Sequence, residues 1–176
     1  MSTPVSQEML DIVDAEDKLI GVRARGDVHS LGLMHRSVHI LVFNSEGELF
    51  LQKRSQSKDS NPGLWDSSAA GHLEHGERYP DCATRELAEE LGIDVVAPLE
   101  SLFRLPASPQ TGMEHCNVYR CINDGPFQLQ PEEIDEGRWE AIARMDKRVA
   151  GHDPTLTKIL RLIWKKFRLD TQAEQQ

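Results

Sequence analysis

Residues 71–93, GHLEHGERYPDCATRELAEELGI, constrain the fold more than any other stretch of this 176-residue chain. Pro80 suits the first turn of a helix, where its missing N–H is no loss, and Gly92 suits the position just past the end. The spacing therefore predicts a helix over residues 80–91. On it Ala83, Leu87 and Leu91 make an apolar stripe that needs a sheet to pack against. Glu86, Glu89 and Glu90 share another edge, because residues three and four apart are neighbours on a helix. That edge must face a cleft or solvent. Solvated helix faces ordinarily mix Glu with Lys, and this stretch holds no lysine. The acids instead suit a hard divalent cation, which takes oxygen ligands from carboxylates and substrate phosphates. Arg85 lies four residues before Glu89, the weaker order for a helical ion pair, so a fold back toward Glu77 is the alternative.

The remaining pattern alternates strands with helices. Residues 9–22 read as a hairpin around the turn DAEDK, and residues 37–54 as a second one around NSEG. Residues 23–35 are irregular or briefly helical. Residues 55–71, SQSKDSNPGLWDSSAAG, read as a loop with a turn at Pro62 and Gly63. Further strands are expected near 100–105, 114–121 and 136–140, and a short helix within 140–149. A final helix follows from the helical spacing of Leu156, Ile159, Leu160, Ile163 and Phe167. The expected organisation is one domain over residues 8–169, with disordered ends at 1–7 and 170–176.

Twenty Lys and Arg against 29 Asp and Glu give a net charge of −9. Polymeric nucleic acid is not an expected partner, since a direct grip on its backbone needs a basic face. A small diphosphate-containing substrate, reached through metal ions, fits the charge. No apolar run is long enough for a bilayer and the first ten residues lack a secretory pattern, so no membrane contact is expected and the cytoplasm is the expected compartment. Cys82, Cys116 and Cys121 are odd in number and lack C-x-x-C spacing, which reads as reduced thiols. Cys116 reads as a buried thiol and Trp65 as a core anchor for its loop. Oligomeric state is left open, including a homodimer paired through an exposed hairpin or the last helix.

Gly71, five residues, Glu77, seven residues and then Arg85 to Ile93 match every fixed position of the Nudix box. The chain resembles the Nudix hydrolases, and the resemblance implies an α/β fold, an α/β/α sandwich on a mixed β-sheet, here with an added N-terminal β-hairpin. It implies Mg²⁺ or Mn²⁺ as cofactor, Glu86, Glu89 and Glu90 as metal ligands with a general base among them, and the Gly71 carbonyl as a further ligand. Arg85 and Glu77 would brace the helix against its loop. The implied reaction is hydrolysis of a nucleoside diphosphate linked to some group X, by water attack on phosphorus.

The stretches VHSLGLMHRSVHILVFN and LFLQKRSQSKDSNPGLWDSSAAGHLEHGE look like the branch that contains isopentenyl-diphosphate isomerase and its bacterial Nudix relatives. By that likeness Arg54 and Lys58 grip the substrate's diphosphate. His35, His72 and Glu114 match metal-binding positions, and His29 matches another with a one-residue offset. Taken alone, His35, His39, His75 and His115 read as core or surface histidines. Three departures speak against the isomerase. Ala70 stands where that enzyme has its acid/base cysteine, Gly112 stands where it has a second acid, and the box is intact. Hydrolysis is therefore the expectation, with isomerisation and non-catalytic diphosphate sensing as alternatives. A catalytic glutamate outside the box would come from Glu114 or from Glu132, Glu133, Asp135 and Glu136, a group that otherwise reads as a solvated turn.

Overall fold

The computed structural model describes residues 7–174, so the expectation of disorder for residues 1–6 lies outside the described residues. The chain opens with an antiparallel hairpin, β1 (Met9–Val13) and β2 (Leu19–Ala24). Its turn is closed by the Asp14 carboxylate, which accepts from the N–H groups of Glu16 and Lys18. The stretch expected to be irregular or briefly helical is α1 (Arg25–Leu31), ended by Gly32 in the left-handed region at φ 61°.

The main sheet is mixed. β3 (His35–Phe43) pairs antiparallel with β4 (Leu49–Arg54) and β6 (Ala69–His72), and parallel with β8 (Glu114–Ile122). β5 (Trp65–Asp66) and β9 (Ile134–Glu140) pair with β4, and β7 (Glu100–Leu105) closes the far edge against β8. Helix α2 (Tyr79–Leu91) covers one face, while α3 (Ile142–Ala150) and α4 (Lys158–Ala173) cover the other.

Strand β3 divides the two cores because successive side chains point to opposite faces. Val38, Ile40 and Val42 meet Ala83, Leu87 and Leu91 of α2. Leu41 and Phe43 meet Leu160, Ile163 and Phe167 of α4. Each fully buried leucine here contributes about 2 kcal/mol relative to exposure. The earlier residues of that second face are His35, Ser37 and His39, all buried. A polar trough therefore leads into an apolar core along one strand face.

Two expectations need correction. Residues 55–71 contain β5 and most of β6 rather than loop alone. Serines hid these strands: Ser68 is fully buried, its hydroxyl donating to the Phe50 carbonyl and accepting from the Val42 N–H. The side chain satisfies backbone groups at the sheet, where a sequence pattern sees only polar loop residues. Second, residues 170–173 are helical, not disordered. The last turn is supported by a Lys166–Asp170 ion pair and by the Thr171 hydroxyl donating to the Phe167 carbonyl. Residues 175–176 lie outside the described residues.

The N-terminal hairpin is tied to the sheet by its acids. Asp17 accepts from Arg36 Nε at 2.6 Å, from the Tyr79 hydroxyl at 2.8 Å and from Arg104 at 2.9 Å. Buried Asp11 meets His75 Nδ1 at 2.6 Å, and the Met9 carbonyl accepts from the His75 N–H at 2.9 Å. The loop leading into α2 is thus clamped from outside the main sheet. No helix among the described residues is long and apolar enough to cross a membrane.

Candidate active site

A cleft of about 1330 Å³ opens where the end of β6, the acid edge of α2, α1 and the loop after β4 converge. Glu86 and Glu90 are buried beside it, whereas the Glu89 side chain is 59% exposed at its mouth. All three reach one wall because α2 packs its apolar stripe on β3 and so turns the acid edge toward β6. Gly71 lets the two elements touch: a β-carbon there would lie 1.9 Å from Glu86 Oε1. Glu90 is anchored through one oxygen, which accepts from Gln52 Nε2 at 2.9 Å and from the Ala70 N–H at 3.2 Å.

Arg85 does fold back onto Glu77, with two parallel bonds of 2.9 Å each. It also donates to Glu86 at 2.8 Å, to Glu89 at 3.2 Å and to the His72 carbonyl at 3.1 Å. A bidentate guanidinium–carboxylate pair of this kind is stronger and more directional than a single bond. The brace fixes the loop, the helix and two of the acids together.

Burial raises the Glu86 carboxyl to about 8, opposed by Arg85 and reinforced by Glu89 and Glu133. Burial likewise raises Glu90 well above the ordinary carboxylate range, with Glu86 and Glu133 adding to it. Burial thus favours the protonated form of both acids.

A second group lies on the other side of β6. His29, His35 and His72 bring one ring nitrogen each within 4.8 Å of one another. Glu114 Oε1 stands 3.1 Å from His72 Nε2 and 3.6 Å from His35 Nε2. His35 donates from Nδ1 to the Leu33 carbonyl at 2.8 Å, leaving Nε2 buried and without a hydrogen bond. A buried nitrogen without a hydrogen bond, on a ring oriented through its other nitrogen, suits a metal-binding imidazole. Burial lowers His72 to about 4, so it is neutral and able to ligate at neutral pH. The adjacent histidines hold Glu114 well below the usual carboxylate range, against its own burial. Gly112, at the position where the isomerase has a second acid, sits at φ 70° after a short 3₁₀ turn and offers no side chain to this group.

Arg54 and Lys58 both line the cleft, but neither waits unpaired. Arg54 donates to the Ser60 carbonyl at 3.1 Å and stands 3.6 Å from Asp66, while Lys58 is paired with Glu133. Glu133 corrects the reading of its segment as a solvated turn, since it lines the cleft and acts electrostatically on Glu86 and Glu90. The sequence names Glu133 only as one of four acids in its segment, because the partner that singles it out, Lys58, is 75 residues away. Gln52 was missed for the same reason. Cys116 is fully buried with its thiol pushed up, and none of the three cysteines is paired. Trp65 packs in the α4-side core with Arg138 stacked 4.1 Å from its ring, and His115 is buried with Nε2 on the Asp14 carbonyl.

The NUDIX domain model matches residues 33–161. The chain belongs to the Nudix family. An uncharacterized Nudix hydrolase of Pseudomonas aeruginosa is 39% identical over 158 residues, 88% of this chain and 92% of that protein. An isopentenyl-diphosphate Delta-isomerase of Serratia proteamaculans is 38% identical over 141 residues, 78% of this chain and 79% of that one. The crystal structure of DR0079 from Deinococcus radiodurans superposes with a TM-score of 0.72 at 31% identity, covering 82% of this chain and 90% of that one. This Nudix chain is a hydrolase of phosphoric anhydride bonds, on an α/β fold with a mixed sheet and an added N-terminal hairpin.

Proposed function

We propose that this Nudix hydrolase is a metal-dependent pyrophosphohydrolase of a small phosphorylated metabolite, with nucleoside diphosphate derivatives as its substrate class. The observation that carries the reading is the joint placement of Glu86, Glu89 and Glu90 against Gly71 in one cleft. With the Gly71 carbonyl they form an oxygen-rich set suited to Mg²⁺ or Mn²⁺. These residues would hold such an ion, which would supply Lewis-acid polarisation of the diphosphate and of an attacking water. The chain's own residues do the rest. Arg85 holds Glu86 and Glu89 in place, and Gln52 and the Ala70 N–H hold one oxygen of Glu90, leaving its other oxygen to take a proton. Arg54 and Lys58 exchange their partners Asp66 and Glu133 for phosphate oxygens.

His29, His35, His72 and Glu114 supply a second metal position, supported by the orphaned His35 nitrogen. Mixed imidazole and carboxylate ligands favour Mn²⁺ over Mg²⁺ there. Isomerisation is disfavoured by Ala70, whose methyl cannot move a proton. The three unpaired cysteines support a reducing compartment, the cytoplasm.

The test is chromatographic detection of phosphate, pyrophosphate and nucleoside monophosphate formed from nucleoside di- and triphosphates, dinucleotides, nucleotide sugars and isopentenyl diphosphate, with Mg²⁺ or Mn²⁺ and with chelator. Turnover lost on chelation, and abolished in a folded Glu90→Gln variant, is the expected result. A fully active Glu90→Gln protein would sink the assignment, and metal-dependent binding without turnover would favour a sensor.

A further inference from the structure

The polar trough on β3 continues beyond the histidine cluster, and neither the acids nor the metal positions account for its far end. His39 is 4% exposed, lines the cleft, and faces Ala70 across the β3–β6 pair. Its Nδ1 is 2.6 Å from Ser67 Oγ and 3.8 Å from Asp66 Oδ1. The Ser67 hydroxyl in turn donates to the Ala69 carbonyl, and Asp66 is held by the Thr157 hydroxyl and the Ser67 N–H. An acidic neighbour and a hydroxyl acceptor at Nδ1 favour the proton on that nitrogen. Nε2 is then an acceptor, and it makes no hydrogen bond among the described residues. Two positions earlier on the same face, the Ser37 hydroxyl is buried with only the weak thiol of Cys116 alongside it.

Polar groups left without partners inside a cleft are costly unless a ligand or water meets them. A hydrocarbon chain lying here would strand both. A group carrying O–H or N–H donors would satisfy them. The small Ala70 methyl leaves room beside the imidazole for such a group. We propose that His39, with Ser37, is the specificity-determining pair of this cleft: Nε2 accepts a hydrogen bond from a hydroxyl or N–H of the group carried on the diphosphate. The pair selects a nucleoside over an isoprenoid tail. This rests on the diphosphate sitting on the acids as in the hydrolase reading, but it concerns binding rather than turnover.

Calorimetric titration with non-cleavable α,β-methylene nucleoside diphosphates and with an isopentenyl methylenediphosphonate, in Mn²⁺, tests it directly. Wild type should prefer the nucleoside analogues. The His39→Leu variant should lose at least tenfold more affinity for them than for the isopentenyl analogue, and His39→Gln should recover part of the loss. Equal losses across bases place the contact on the sugar, and unequal losses place it on the base; both support the pair. Equal losses for both classes of analogue, a wild-type preference for the isopentenyl compound, or no binding of either overturns it. If His39→Leu fails to fold, judged by thermal melting, the same ratio read from Ser37→Ala and His39→Gln decides. Absence of turnover on every substrate with the affinity ratio intact would overturn the hydrolase reading alone.

Discussion

The Glu86 carboxylate occupies the space that a side chain at residue 71 would need, with Oε1 only 1.9 Å from an ideal β-carbon on Gly71. Glu86 is also bonded to Arg85 and cannot yield freely. A Gly71→Ala substitution should therefore push the helix acid off β6. We expect kcat to fall by about 10²-fold, in line with the sensitivity of positioned groups to displacements near 1 Å. Steady-state kinetics with a circular dichroism check of folding measures it, and near-normal kcat would mean the acid is not held by this contact.

Replacing Arg85 with lysine keeps the charge and loses the fork. One ammonium cannot reproduce two parallel bonds to Glu77 together with those to Glu86, Glu89 and the His72 carbonyl. Loss of stability by about 1–3 kcal/mol is expected in urea titration, together with a drop in kcat larger than any rise in KM.

The metal-free protein should lose stability as pH rises from about 6.5 to about 8. In that window folded Glu86, raised to about 8, keeps a proton that the unfolded chain, near 4.5, has already released. The slope is about −1.4 kcal/mol per pH unit for each such proton. Glu90 is displaced in the same direction. Below pH 6.5 the trend is opposed by His72, lowered to about 4, whose unfolded form binds the extra proton. Thermal melts in EDTA check this. Excess Mg²⁺ should flatten the slope, as should Glu86→Gln.

Titration with Mn²⁺ should resolve two classes of site. His35→Ala should remove one, by deleting the nitrogen that is buried without a partner, and Glu86→Gln together with Glu90→Gln should weaken the other. Electron paramagnetic resonance of bound Mn²⁺ counts both. A single class lost in both variants would merge the two positions into one.

Helix α2 was legible in the sequence because everything that defines it is local: Pro80 at its start, Gly92 at its end, and a stripe that repeats every turn. The hairpins were legible through alternation and turn residues. The strands β5 and β6 were not, because Ser67 and Ser68 are held by groups on β3 and β4, which no window of neighbouring residues reveals. The acids of the box could be named from spacing and resemblance, whereas picking Glu133 from its acidic neighbours, and finding Gln52 and the inward-facing His39, depends on contacts between distant segments. Glycine 71 could be named as part of a motif, but the reason for a glycine there is a carboxylate fifteen places along the chain.

The clamp between β1 and the loop ahead of α2 has a consequence for how such chains diverge. Asp11 and the Met9 carbonyl hold His75 from outside the box. Drift in the leading strands can thus reposition the loop ahead of α2 without changing one letter of the motif. Proteins sorted by that motif alone would be grouped as equals while their loops are set by different scaffolds. Divergence in activity would then be written in strands that precede the residues usually compared.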